Sequence, residues 1–470
     1  LLQMVTNPFG RHIEDEYTDF YYERGLPIML SRQGPKAAYG DVNGDGLADV
    51  YISATAASSG QLYLQTKNGF AKKEQPAFAQ KGFEESAVLL FDCDGDGDLD
   101  LLTGAGGNHL PVNSFQMQNR LYKNDGKGHF TLEANAVPTT GMNTSVMIDN
   151  DFDGDGDNDL FIGSRNIPQN YGPAPQSMLL VNDGKGRFTD IAKNVNPEIA
   201  NIGLVTGAVW MNVSGDNKKE LVITGEWMAP RIFTFGGNKF TELKTDLNNL
   251  HGWWQTLAAG DLDGDGNEDL VLGNIGENFY LQPSPQKPVK LWMADFDGNG
   301  TGEKLITRTI GGKDVPVFLK KEVTDQIASL RKQNLKYIDF AKKSIQDLFP
   351  ADVMKNTLVK TFTYNQSCIA YNEGGGKFTV QALPAQVQFS SVNAITTTDV
   401  NGDGKIDLVM GGNNFETLPQ FSRLDASYGH VLINKGGRNF IWLSPKESGV
   451  EIRGVVRDIV DMREKNSHSL

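Results

Sequence analysis

Short apolar runs, each closing on a small residue, punctuate this chain at wide intervals. VYIS follows Asp49, LLTG follows Asp100 and LFIG follows Asp159. LVITG follows Glu220, LVLG follows Asp269 and LVMGG follows Asp407. Runs of this length, rich in β-branched residues and stopped by glycine, predict buried strands rather than helices. A second signature comes later in each unit: LYLQTKNGF, LYKNDGKGHF, LLVNDGKGRF, IAYNEGGGKF and VLINKGGRNF. Each reads as a strand, a turn of Asn, Asp and Gly, and an aromatic residue opening another strand.

Before each apolar run stands a nine-residue acidic pattern, D-x-[DN]-G-[DN]-G-x-x-[DE]. Six copies begin at Asp41, Asp92, Asp151, Asp261, Asp295 and Asp399, and a degenerate seventh, NVSGDNKKE, begins at Asn212. One unit is therefore strand, acidic loop, strand, longer loop, strand, hairpin, strand. A four-stranded unit recurring at roughly 40 to 60 residues is the mark of a propeller blade. The predicted fold is all-β: a seven-bladed propeller of four-stranded antiparallel blades, occupying 31–445. The intervals become irregular after Asp261, which predicts a shortened fifth blade and a sixth with an insertion. Residues 1–30 and 446–470 form extensions whose DFYYER and GVVRDIVDM runs could close the ring as strands, or build an eighth blade.

Within 317–349 the period changes. Leu319, Val323, Ile327 and Leu330, then Leu335, Ile338, Ala341, Ile345 and Leu348, step by three and four until Pro350. This spacing predicts one or two amphipathic helices, which cap a blade or dock a partner protein.

The acidic loops carry the chemistry. Calcium takes six to eight oxygens, and side chains at positions 1, 3, 5 and 9 of such a loop can converge on one ion while position 7 offers its carbonyl. The expected ligands of the first loop are Asp41, Asn43, Asp45, Leu47 and Asp49. Those of the second are Asp92, Asp94, Asp96, Asp98 and Asp100, and of the third Asp151, Asp153, Asp155, Asp157 and Asp159. The later loops offer Asp261, Asp263, Asp265, Asn267 and Asp269, then Asp295, Asp297, Asn299, Thr301 and Glu303, then Asp399, Asn401, Asp403, Lys405 and Asp407. The freedom of position 7 fits use of the backbone alone, and the glycine at position 6 permits a positive φ. One such loop can be a solvated turn; seven in register before a strand point to metal. An EF-hand would need flanking helices and a glutamate at position 12, where Ile52, Thr103, Ile162, Leu272 and Met410 stand instead.

Charge agrees. The chain of 470 residues carries 58 acidic and 44 basic side chains, net −14, and six divalent ions would bring this to about −2. About six calcium sites are expected, with the Asn212–Glu220 loop weak or empty, because Asn212 and Ser214 replace carboxylates and Asn217 replaces a glycine. The acidic balance disfavours nucleic acid. No apolar stretch approaches the length of a membrane helix. Two cysteines, Cys93 and Cys368, exclude a disulfide framework, and both fall among apolar positions. The chain opens at Leu1 without a signal segment, which reads as a processed product.

The loop, the strand with its terminal glycine and the N-D-G-x-G-x-F hairpin together resemble the FG-GAP or VCBS repeat. Integrin α-subunits build seven-bladed calcium-loop propellers from such repeats. GPKAAYGDVNGDG, the GEW after the fourth loop and DASYGHVLIN look closer to bacterial secreted propellers, which often accompany an ASPIC/UnbV domain; that domain is not evident here. Some of those propellers are encoded beside outer-membrane nutrient importers. The resemblance implies an extracellular or cell-surface protein whose partner is a glycan or a protein such as an outer-membrane transporter or receptor.

The face opposite the acidic loops is expected to carry binding, through Asn108, Arg165, Tyr171, Trp227, Trp253, Trp254 and Glu277. Aromatic and arginine side chains suit a binding surface, although such tryptophans can equally pack between blades. No H-E-x-x-H, G-x-S-x-G or P-loop is present. A non-enzymatic binding module is the leading expectation. Two alternatives stand beside it: a lyase-like enzyme working on polysaccharide, which would use Arg165 or Tyr171 in a groove, and a purely structural module of a longer protein.

Overall fold

The computed structural model describes residues 1–3, 8–216, 218–464 and 467–469, so Asn217 lies outside the described residues. Seven antiparallel sheets, each built on four strands as the repeat predicts, make up the ring and its insertion; the fourth gains a short fifth strand at Gly252–Trp253, and Met462–Glu464 pairs separately with Ser467–Ser469. In each of the seven, the residue before the acidic loop pairs with the loop's ninth residue. The closing pairs are Gly40–Asp49, Phe91–Asp100, Asn150–Asp159, Met211–Glu220, Gly260–Asp269, Ala294–Glu303 and Thr398–Asp407. Each acidic segment is thus the same hairpin between a first and a second strand.

The order of the sheets around the axis differs from their order along the chain. First strands neighbour one another in the sequence Ala37–Gly40, Glu85–Phe91, Asn143–Asn150, Leu204–Met211, Thr256–Gly260 and Val392–Thr398. The sheet holding the Asp295 loop (Val289–Ala294, Glu303–Ile310, Lys313–Pro316 and Leu358–Phe362) is not in this succession. It is inserted between the second and third strands of the fifth sheet, which resumes at Cys368–Asn372 and Phe378–Ala382. The expected shortened fifth blade is therefore a full sheet interrupted by another, and the interrupting sheet packs its last strand on the second strand of the fourth.

A side-chain staple fixes this order. Asparagine at the end of a third strand reaches back to the loop of the preceding sheet: Asn124 Nδ2 donates to the Val42 carbonyl at 2.8 Å and Asn182 Nδ2 to Cys93 at 2.8 Å. Asn372 reaches Val213 at 3.2 Å, and Asn434 of the last sheet reaches Leu262 of the fifth at 2.7 Å, passing over the inserted sheet.

The ring closes without a terminal strand. Residues 455–461 run between the last sheet and the first: Val456 donates its N–H to Gly412 at 2.8 Å, while Asp458 accepts from Ala37 at 3.0 Å. The DFYYER run forms the short helix Asp19–Tyr22 on the face opposite the loops, and no eighth four-stranded sheet forms among the described residues. Both runs were expected as strands. Fixed partners in the flanking sheets, rather than a continuous ladder, set their conformation.

The helical insertion does lie in the sheet of the sixth loop, but as five short helices between 320 and 355 rather than one or two long ones. Ile327 leaves helical geometry at ψ 87° and Asn334 at ψ 71°. Helices this short are held by packing rather than by propensity, and Val323, Ile327, Leu330, Ile345 and Leu348 are buried as the spacing predicts. Leu319, Leu335 and Ile338 face solvent. The largest hydrophobic cluster joins these helices to the inserted sheet, to Leu26, Ile28 and Leu30 of the N-terminal segment, and to Trp227 and Trp253 of the ring.

Replacing Asn434 with alanine strands the buried carbonyl of Leu262 and the half-buried one of Ile406. Urea denaturation should show a loss of about 1–3 kcal/mol. Asn68→Ala at an exposed hairpin tip should cost less than about 0.5 kcal/mol; equal effects would show that the staple does not hold the ring.

Candidate functional site

Each acidic loop is shaped by its own first residue. One oxygen of Asp41, Asp92, Asp151, Asp261 and Asp399 accepts the N–H of the fourth-position glycine at 2.7–2.8 Å. The other oxygen accepts the N–H of the sixth-position glycine, for example Gly46 at 2.7 Å and Gly404 at 2.8 Å. Both glycines adopt positive φ, 75° and 83° in the first loop. The fourth position is thus as constrained as the sixth, and it is glycine in all seven copies.

The ninth residue is the buried one: Asp49, Asp159, Asp269 and Asp407 are fully enclosed, and Asp100, Glu220 and Glu303 nearly so. One oxygen of Asp269 takes the N–H of Leu262 at 2.9 Å, the other that of Asn372 on the third strand at 2.8 Å. Asp49, Asp100, Asp159 and Asp407 repeat this double acceptance. Position 9 therefore latches the loop to the sheet as well as offering its remaining lone pairs.

The carboxylates converge. Three acids bring ligand atoms within 4.8 Å of one another at Asp92, Asp94 and Asp96, at Asp151, Asp153 and Asp159, at Asp261, Asp263 and Asp265, and at Asp295, Asp297 and Glu303. Asp94 Oδ1, Asp98 Oδ1 and Asp297 Oδ1 are buried with no hydrogen-bond partner. An unpaired buried carboxylate oxygen is costly, and a cation is the partner that removes the cost. Burial, reinforced by the neighbouring acids, pushes Asp159 up to about 7 and Asp98 up to about 6. Burial likewise raises Asp49 and Asp269 to about 6. This donor set, all hard oxygen, fits a divalent metal ion.

Cations of the protein share some of the loops, which the sequence reading missed: Lys405 lies 3.5 Å from Asp403 within its own loop, and two others reach in from elsewhere. Lys123 Nζ lies 2.6 Å from Asp94, and Arg438 Nε, from the last sheet's hairpin, lies 2.8 Å from Asp263 of the fifth. The degenerate loop is closed by itself: Ser214 donates to Glu220, Val213 N–H reaches Glu220 at 2.8 Å and Gly215 N–H reaches Asn212 at 2.7 Å.

The expected ligand face has a different arrangement. Asn108, Arg165, Tyr171, Trp227, Trp253 and Trp254 are buried, and of the seven only Glu277 is at the surface, bonded to Gln366 at 3.0 Å. Trp254 packs between the fourth and fifth sheets, while the N-terminal segment and the inserted sheet cover the other buried residues. Glu23 accepts from Asn108 at 3.0 Å and from the Tyr171 N–H at 2.6 Å, and pairs with Lys304 of the inserted sheet at 2.7 Å. Arg165 pairs with Glu226, which also accepts from the Tyr171 hydroxyl at 2.7 Å, while Trp227 Nε1 donates to that hydroxyl at 2.7 Å. These side chains hold a cap onto the ring. Cys93 and Cys368 are buried free thiols, as their apolar settings predict.

With the geometry described, the relatives can be placed. The FG-GAP-like repeat family matches residues 41–103 and 212–272, segments that include the first two acidic loops, the degenerate one and the Asp261 loop. No curated protein matches the sequence. Among solved structures, an Agrocybe aegerita lectin that recognises non-reducing terminal N-acetylglucosamine is similar at 15% identity, with 87% of this chain and 79% of that chain covered and a TM-score of 0.45. The V. cholerae biofilm matrix protein Bap1 is similar at 12% identity, over 92% and 83% of the two chains, with a TM-score of 0.31. The sheets are those of a β-propeller, and the matched segments within it are FG-GAP-like repeats.

The latch and ligand roles separate by substitution. Asp269→Ala should destabilise the protein even in chelator, by about 1–3 kcal/mol, because two buried N–H groups lose their acceptor. Asp265→Ala, at an exposed position, should change stability only when a divalent cation is supplied; denaturation with and without chelator reads both.

Proposed function

We propose that this chain is a calcium-stabilised, non-enzymatic binding module working outside the cytoplasm, with a protein or a glycan as its ligand. The observation that carries the metal is the set of buried, unpartnered carboxylate oxygens inside loops of converging acids. Calcium suits them better than magnesium, which keeps several waters and demands strict octahedral geometry. Millimolar calcium outside the cytoplasm keeps modest sites filled.

Binding is assigned to the capping layer rather than to the enclosed residues beneath it. Leu335, Tyr337 and Ile338 are exposed by 60% or more in the helical insertion, and Tyr21 and Tyr22 by 70% or more in the N-terminal segment. Large apolar side chains presented in this way favour a partner surface. Lysines surround the helical part: Lys320 lies 5.0 Å over the Tyr337 ring, beside Lys332, Lys336 and Lys342. An outer-membrane transporter or receptor in a nutrient-uptake complex is the partner class favoured by the resemblance of the repeats to secreted bacterial propellers. No helix among the described residues is long and apolar enough to cross a membrane.

Two measurements test this reading. Chelator should lower the melting temperature, since a site filled at a hundredfold over its Kd contributes about 2.7 kcal/mol; an unchanged melt removes calcium from the proposal. Affinity capture from envelope extract in calcium should recover a transporter or receptor in stoichiometric amount, lost with Tyr337→Asp. Recovery of the chain alone, together with no retention on a carbohydrate array, would overturn the binding role.

A further inference from the structure

The axis of the ring ends, on the capped face, in a small polar cavity of about 50 Å³. Each of the six successive sheets contributes to it from just before or within the first three residues of its first strand: Lys36, Ser86, then Asn143, Thr144 and Ser145 of the third, Thr206, Gln255 and Asn393. Gln33, Arg165 and Arg457 also line it, and no carboxylate does. The hydroxyls and amides are largely committed to holding neighbouring sheets together. Ser145 donates to Val205 at 2.7 Å, Thr206 to Trp254 at 2.8 Å and Asn393 to Val456 at 3.2 Å.

The cations are not satisfied in this way. Arg457 makes no side-chain hydrogen bond and no ion pair among the described residues. Its backbone carbonyl instead holds Lys36 Nζ at 2.7 Å, bringing a second cation to the same wall. Arg165 is 5% exposed, paired with Glu226 through one terminal nitrogen and bonded to Gln33 through the other, but its Nε is buried without a partner. The buried Nε of Arg165 and the half-buried guanidinium of Arg457 line the same cavity, and one anion there would supply an acceptor to both. Burial holds Arg457 down at about 10 against the opposing charge of Glu416, with Arg165 adding to the lowering and the more weakly felt Glu14 and Glu84 opposing it.

We propose that this hub is a binding site for one compact oxyanion, of the sulfate, phosphate or carboxylate class, held by Arg457, Arg165 and Lys36. Guanidinium groups present paired donors matched to such oxygens. The volume holds several waters or one such group, but not a sugar ring. The three cations come from the ring-closing segment, the third sheet and the entry to the first, so the anion pins the closure of the ring. This site is independent of the calcium loops and of the partner surface, and it stands or falls without them.

Sulfate is the probe, titrated calorimetrically into the full chain in calcium, with chloride at matched ionic strength as the reference. One saturable site is expected. Arg457→Gln should weaken it by about ten- to a hundredfold, the loss of a charge-assisted hydrogen-bonded contact. Lys355→Gln, on an exposed helix outside the cavity, should leave it unchanged. Acetate and glucuronate, run in parallel, distinguish a free inorganic ion from the acid group of a larger ligand. Should Arg457→Gln fail to fold, crystals of the native protein soaked in selenate decide: an anomalous peak between Arg457 and Arg165 supports the site. No peak there, or sulfate heats no different from chloride, overturns it.

Discussion

A carboxylate buried where the second strand of each sheet begins is the constraint on which this molecule rests. It cannot be left in an apolar setting without bonds to donors, and in five of the seven sheets the chain satisfies it twice, from the loop before it and from the third strand beside it, as at Asp269. That double bond sets how the loop enters the sheet, and thereby where the remaining acids point. In four of the loops the acids then gather within 4.8 Å of one another, so the latch that completes the sheet also helps assemble a donor set that could hold a cation. Fold and metal chemistry share one residue in each repeat, which explains why the degenerate loop keeps Glu220 while losing carboxylates at Asn212 and Ser214.

Much of this was legible in the sequence because it is local. The loop, the strand after it and the hairpin beyond are each set within a dozen residues, and all seven closing pairs fall where the repeat places them. What could not be read is which sheet a strand joins. IAYNEGGGKF has the same pattern whether it completes a sheet begun at Thr256 or one begun at Val289, and only the register with Leu270–Leu272 decides. The asparagines of the YKND and LVND hairpins look like turn formers. Their side chains instead cross to the neighbouring sheet, a contact with no sequence periodicity.

The capped face shows the same limit from another side. Arginine, tyrosine and tryptophan in loops satisfy the composition of a binding surface, yet a buried pair such as Arg165 and Glu226 has that composition too. The distinction lies in what covers them, and the cover comes from segments far away in the chain: Glu23 from the N-terminus and Lys304 from the inserted sheet. Period-three spacing in the insertion likewise located its apolar face, while the tertiary contacts that break it into short helices lie outside any local pattern.

The insertion leaves and re-enters the fifth sheet at nearly one point, where Asn274 N–H meets the Ser367 hydroxyl at 2.9 Å and Asn274 Nδ2 meets the Tyr364 carbonyl at 2.9 Å. To the ring, more than ninety residues of additional architecture are therefore equivalent to one tight turn. Because the entropy of closing a loop grows only slowly with its length, the connection itself costs the host sheet little, and what ties the insertion to the ring is its packing on Trp227 and Trp253. Away from that contact, the ring and its passenger can diversify separately: one lineage of change keeps the repeats, while another exchanges the surface that the repeats display.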